Sequence, residues 1–216
     1  MPYPDPQRAE LVASSLRRGL AVHDDQFDAL YPAWAREPSR IHWTPVAVAV
    51  RAAELLVVRP GQRVLDVGSG AGKLCQIGAL TSNGRFHGVE QRPHLVTLAR
   101  EVAGQLGADG AEFAHGNMKA IDWRGFDSFY LYNPFFENQV GVIDPVDDTV
   151  PLERTLQDDY VTFVRAQLAA APAGTRVVTY HGFGGTLPLG YFRMLHEKRG
   201  NGHLELWLKG PHVLDA

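Results

Sequence analysis

The 216-residue chain holds a single cysteine, Cys75. That excludes an intramolecular disulfide framework and fits a reducing compartment. No apolar run is long enough to read as a membrane span, and no basic-then-apolar leader is present, so a cytoplasmic location without a membrane partner is expected. Neither sign of charge predominates, with 21 basic and 24 acidic residues. The formal net charge is -3, and the longest basic cluster is Arg17 with Arg18, so the charge balance offers nucleic acid no general attraction. Internal repeats and low-complexity tracts are missing too, and nothing fixes an oligomeric state. What remains is 45% apolar residues, enough for one sizeable core.

Residues 7–22 and 25–36 carry apolar positions at helical spacing, with Pro32 and Pro38 near the end of the second segment. They predict two short helices, an N-terminal helical cap over residues 1–42. Thr44 offers an N-cap and Pro45 a first helical position for a helix that stops before Pro60. Strands and helices then alternate. Strands are expected at 62–68, 85–90, 111–117, 126–133 and 175–183, and helices at 71–80, 93–106 and 152–170, while residues 138–152 read as irregular. Residues 191–199 and 203–209 flank a glycine-rich turn at 200–202 as a hairpin. The order predicts an α/β domain over residues 43–216: a doubly wound Rossmann-like sheet of about seven strands, mostly parallel, ending in an antiparallel pair.

The first strand runs into "VLDVGSGAGK", residues 64–73, with Gly68, Gly70 and Gly72 in one turn. In an open parallel sheet ligands sit beyond the carboxyl ends of the strands, and such a turn combines close backbone approach with free helix N–H groups. A dinucleotide, a nucleotide phosphate or S-adenosylmethionine can use it. The dinucleotide fingerprint fails because the third glycine comes one residue early. A P-loop fails because Leu74 stands where a hydroxyl is needed. Glu90 ends the second strand beside the turn, where a carboxylate accepts two hydrogen bonds from a ribose diol and repels a 2′-phosphate. Asp66, inside an apolar strand, needs partners, which the turn amides and a cofactor ammonium group would supply.

These residues resemble a known family. "VLDVGSGAGK" and "GVEQ" are similar to motif I and the acidic motif of class I S-adenosylmethionine-dependent methyltransferases, whose sheet also ends in an antiparallel hairpin. The resemblance runs over about residues 43–208. "HWTPVAVAVRAAELL" and "LYNPF" are similar to a set of small bacterial methyltransferases, distantly similar to the isoaspartyl and the non-SET histone lysine methyltransferases. The resemblance implies that Asp66, Gly68, Ser69 and Gly70 surround the amino-acid end of the cofactor and that Glu90 binds its ribose. Thr44 contacts the cofactor carboxylate or only caps its helix, and Gly72 and Gln91 complete the set. Where the family commonly has an acid for the adenine amino group, this chain has Asn117, whose amide oxygen can accept, followed by Met118, which can pack on the ring; a plain loop is the alternative. Trp123 and His115 are read as packed.

Methyl transfer from a sulfonium mainly needs a positioned nucleophile and excluded water. The expected place is "YLYNPFFEN", residues 130–138, beyond the fourth strand. Asn133 can accept from an amine, the Pro134 carbonyl adds an acceptor, and Phe135 offers a ring face. The stretch is similar to the N-P-P-[YFW] tetrapeptide of amino-group methyltransferases, with Phe135 in place of the second proline. His181 is a candidate base or substrate contact, Glu137 a second base, and the acids within 144–148 a solvated lid to which no metal is assigned. Together these residues point to transfer onto a nitrogen of a protein or small-molecule acceptor. An NAD-dependent reductase is the rival enzyme, disfavoured by the glycine spacing and the hairpin. A non-catalytic S-adenosylmethionine-binding regulator is the other, against which Asn133, Pro134 and the aromatic pair count.

Overall fold

The computed structural model describes residues 6–138 and 145–211. Its strands are β1 Arg63–Val67, β2 Arg85–Glu90, β3 Ala111–His115, β4 Ser128–Leu131, β5 Arg176–Tyr180, β6 Tyr191–Arg199 and β7 Gly202–Lys209. They form one sheet in the order β3-β2-β1-β4-β5-β7-β6. β1 to β5 are parallel, and β7 is antiparallel to both β5 and β6. The sheet is the doubly wound, Rossmann-like one that the alternation predicts. β1 has β2 on one side and β4 on the other, so the order of strands reverses there and leaves a crevice beyond the carboxyl ends of β1 and β4.

The helices are α1 Pro6–Arg17, α2 Asp24–Asp28, α3 Ala33–His42, α4 Val46–Leu56, α5 Lys73–Thr81, α6 Pro93–Leu106 and α7 Arg154–Ala170. The pleat of β1 divides them between two cores. Val64 packs into the core shared with α4, α5 and α6, while Leu65 and Val67 enter the core beneath α7. Asp66 therefore points to the α5 side. None of the described helices is long and apolar enough to cross a membrane.

Several local expectations change. Pro32 does not end a helix; it is the N-cap of α3, which continues through Pro38 to His42. Proline suits a helix start, where the first amides have no intrahelical partner, and Pro38 forfeits one bond further on. Thr44 does not cap α4. Its hydroxyl lies 3.0 Å from the Tyr130 hydroxyl, Pro45 takes the N-cap position, and the Val46 N–H donates to Asp24 Oδ1 at 2.9 Å. The α5 helix starts at Lys73 because Gly72, at φ +78°, is left-handed. His115 is exposed rather than packed, with its Nε2 3.0 Å from the Gln91 carbonyl. Trp123 is buried and stacks on Phe129 as expected.

Two polar ties dock the N-terminal helices. Arg17 donates to the Leu106 and Gly107 carbonyls at the C-terminal end of α6, at 3.0 and 2.8 Å, which supplies partners to carbonyls the helix leaves unpaired. Lys73 is 2% exposed, and its Nζ lies 2.7 Å from both Asp24 and Asp28 of α2. A lysine buried this deeply persists because it is paired.

Candidate functional site

Beyond β1 the chain turns through positive φ, and Gly70 (φ +55°) shows what the missing side chain permits. A Cβ there would stand 2.7 Å from the Trp43 indole nitrogen. Trp43 joins α3 to α4, so the N-terminal helices close over the turn on one side. On the other, Pro134 lies over Gly68.

Asp66 differs from its expected surroundings. The Gly68 and Ser69 amides donate to the Val89 carbonyl at 3.0 and 3.1 Å, not to the carboxylate. Its hydrogen-bond donor is instead the Cys75 thiol, at 3.4 Å. Burial pushes the Asp66 carboxyl up to about 7; the thiol opposes the rise and Glu90 adds to it. The unfolded chain would release this proton near the ordinary aspartate value of 3.8, so between about pH 4 and 7 the folded state holds more protons. Stability through Asp66 is accordingly present at low pH and lost as pH rises to about 7. We expect Asp66→Asn to flatten that decline in urea unfolding at pH 5 against pH 7; an unchanged slope would mean the carboxyl is already ionised at pH 5.

Glu90 is 7% exposed and holds the turn from β2. Its Oε2 accepts from the Gly70 N–H at 3.0 Å and its Oε1 from the Arg92 N–H at 2.9 Å. Burial raises its pKa against these bonds and the Arg92 charge. Each oxygen still has acceptor capacity for a ligand. Asn117 is tied down: its Nδ2 donates to Gln91 Oε1 at 3.1 Å and to the Tyr160 hydroxyl at 2.9 Å, while its Oδ1 accepts from the Lys119 N–H at 3.0 Å. Part of the acceptor capacity expected of that oxygen is thus spent on a local turn. Met118 is buried beside it.

Past β4, Asn133 takes φ +37°, a left-handed conformation that asparagine tolerates better than most residues. Its N–H donates to the Gly182 carbonyl at 2.8 Å, while its side-chain amide has no hydrogen bond among the described residues. Phe135 is buried with its ring 5.3 Å from that of Tyr160, and the more open ring is Phe136. His181 is exposed and stacks on Tyr132 at 5.7 Å. Glu137 is engaged by Arg92 at 3.0 Å. Asp147 pairs with Arg92 and His94, so that part of the acidic segment is held rather than merely solvated; Asp144 lies outside the described residues.

A cavity of about 570 Å³ brings most of these residues together. Gly68, Gly70, Glu90, Gln91, Asn117 and Met118 line one part, and Asn133, Pro134, Phe135 and His181 another. Thr44, Asp66 and Ser69 surround a separate space of about 20 Å³ beneath Trp43. Gly72 lines neither. A Cβ there would lie 2.4 Å from the Phe113 ring, so Gly72 serves packing between α5 and β3. Trp43, Lys73 and Arg92 went unnoticed in the sequence, since their partners lie tens of residues away.

A family model described as a methyltransferase domain matches residues 59–183, more than half of the chain. The chain belongs to that family. The match ends three residues past β5, so it takes in His181 as well as the glycine turn, Glu90 and the Asn133 loop. The match makes this chain a methyltransferase, and its seven-stranded sheet with the closing antiparallel hairpin is the fold of its solved neighbours. It shares its fold with an RNA methyltransferase from Salinibacter ruber solved with S-adenosyl-L-homocysteine, at 24% identity and TM-score 0.55 over 80% of this chain and 99% of that one. TrmN from Thermus thermophilus is 21% identical, with TM-score 0.56 over 83% of this methyltransferase and 53% of that chain. A mutant of MtNAS in complex with S-adenosylmethionine is 15% identical, with TM-score 0.51 over 95% and 73%. No curated protein matches.

Proposed function

We propose that this methyltransferase modifies a nitrogen of a protein or small-molecule acceptor, in the cytoplasm, with residues 1–42 as a cap over the cofactor turn. The observation that carries the nitrogen assignment is Asn133, held by its backbone at the end of β4 with its amide unspent beside Pro134. An amide oxygen and a carbonyl can together accept from an amine and leave its lone pair directed.

The residues present fit S-adenosylmethionine. Among the described residues Ser69 Oγ is buried without a hydrogen-bond partner and the buried Asp66 has no cation paired with it, beside the small space under Trp43. Those groups suit the ammonium and carboxylate of the cofactor's amino-acid end, while the acceptor capacity left on Glu90 suits its ribose. When bound, S-adenosylmethionine supplies an electrophilic sulfonium methyl group. The chain's own contribution is to orient the acceptor through Asn133 and Pro134, to exclude water with Trp43 and Phe136, and to offer His181 at the rim for substrate contact or a proton. The Salinibacter relative is named an RNA methyltransferase. RNA therefore enters the acceptor screen, against the net charge of -3 that disfavours it here.

S-adenosylhomocysteine at 100 times its Kd should add about 2.7 kcal/mol of stability and raise Tm by roughly 5–10 °C, with NADH giving no shift. A shift with NADH alone would restore the reductase. Transfer of labelled methyl groups should then reach amines and lysine-bearing peptides; labelling confined to RNA or to hydroxyl acceptors would reject the acceptor assignment.

A further inference from the structure

Arg92 is placed where the cofactor half of the cleft meets its acceptor half. It follows Glu90 by two residues, and its N–H is one of the donors that Glu90 holds, at 2.9 Å. Its side chain is 6% exposed and crosses to the loops beyond β4. Nε donates to Asp147 Oδ1 at 3.0 Å and Nη1 to Glu137 Oε2 at 3.0 Å, while Nη2 is buried with no partner among the described residues. The two acids in turn fix the backbone they stand on. Glu137 Oε1 accepts from the Val146 N–H at 2.7 Å, and Asp147 Oδ1 accepts from the Thr149 N–H at 2.9 Å. Val146, Val150, Pro151 and Leu152 form a wall of the 570 Å³ cavity.

We infer that Arg92 is a positioning residue that couples occupancy of the cofactor turn to the shape of the acceptor wall. The inference rests on the assignment of Glu90 to the ribose. A ligand hydroxyl on the Glu90 carboxylate fixes the acid that holds the Arg92 backbone, and the guanidinium carries that constraint to Glu137 and Asp147. Each carboxylate receives a single bond from a fork that can give paired ones, and one donor is unspent. The clasp has hydrogen bonds left to form, so a second, tighter arrangement is open to it. Cofactor binding thereby readies the wall before an acceptor arrives.

The test is hydrogen exchange of residues 145–152 with and without S-adenosylhomocysteine, beside calorimetric binding of the same ligand. In the wild type, ligand should slow exchange at Val146 and Thr149 by about ten-fold or more. Arg92→Met should bind S-adenosylhomocysteine yet lose this ligand-dependent protection, and Arg92→Lys should recover part of it. If Arg92→Met does not fold, Glu137→Gln with Asp147→Asn leaves the guanidinium in place and should lose the same protection. Binding without protection in the wild type, or full protection in the variants, overturns the coupling alone. Failure of the wild type to bind overturns the ribose assignment and the coupling together.

Discussion

Glu90→Gln should weaken S-adenosylhomocysteine binding by about 1–3 kcal/mol, roughly 5- to 150-fold in Kd, because charge-assisted bonds to a ribose diol are lost. The glutamine is the right probe because of what Glu90 does in the fold. Its two oxygens take the Gly70 and Arg92 N–H groups in a site that is 7% exposed. Alanine would leave both donors buried and unpaired, mixing a folding defect with a binding defect. Glutamine keeps the volume and one acceptor oxygen, although its NH₂ must face one backbone donor. A modest fall in Tm is therefore expected beside the larger fall in affinity. Titration calorimetry decides: an unchanged Kd would remove Glu90 from the cofactor site.

Lys73→Met should cost about 3–5 kcal/mol of folding stability, a fall in Tm of roughly 10 °C. The methionine fills the same space but leaves Asp28, whose side chain is 7% exposed, without its cation. Asp24 contributes less, since its side chain is 46% exposed and water screens it. Adding Asp28→Asn to Lys73→Met should recover a large part of the loss, because the penalty belongs to the stranded charge and not to the missing amine. Urea unfolding of both variants checks this. A loss below about 1 kcal/mol in the single variant would show that the pair is solvated in solution.

The sheet was legible because its signals are local. Apolar runs in "RVLDV" and "RFHGVE", bounded by glycine and charge, mark strands without reference to anything else, and Pro93 announces the helix that ends at Leu106. The glycine turn was legible for a similar reason: rejecting two phosphate motifs needed only spacing. What escaped depends on partners distant in the chain. Thr44 reads as a cap until Tyr130, 86 residues on, claims its hydroxyl. Asp66 reads as a partner of the turn amides until the Val89 carbonyl takes them. Arg92, after "GVEQ", carries no signal in the sequence, and only the fold brings Glu137 and Asp147 to it. Pro32 misled because a proline near the end of one apolar segment can equally begin the next helix.

The ties of the N-terminal helices carry a consequence for synthesis on the ribosome. The apolar face of α1, with Ala9, Val12 and Leu16, leaves the exit tunnel long before α6, and Arg17 must wait 89 residues for the Leu106 carbonyl. At ordinary translation speeds of about 5–20 residues per second, that interval is roughly 5–20 s. Throughout it α1 has no finished surface to rest on, and chaperone contact in that interval falls on the face that later packs against α5 and α6.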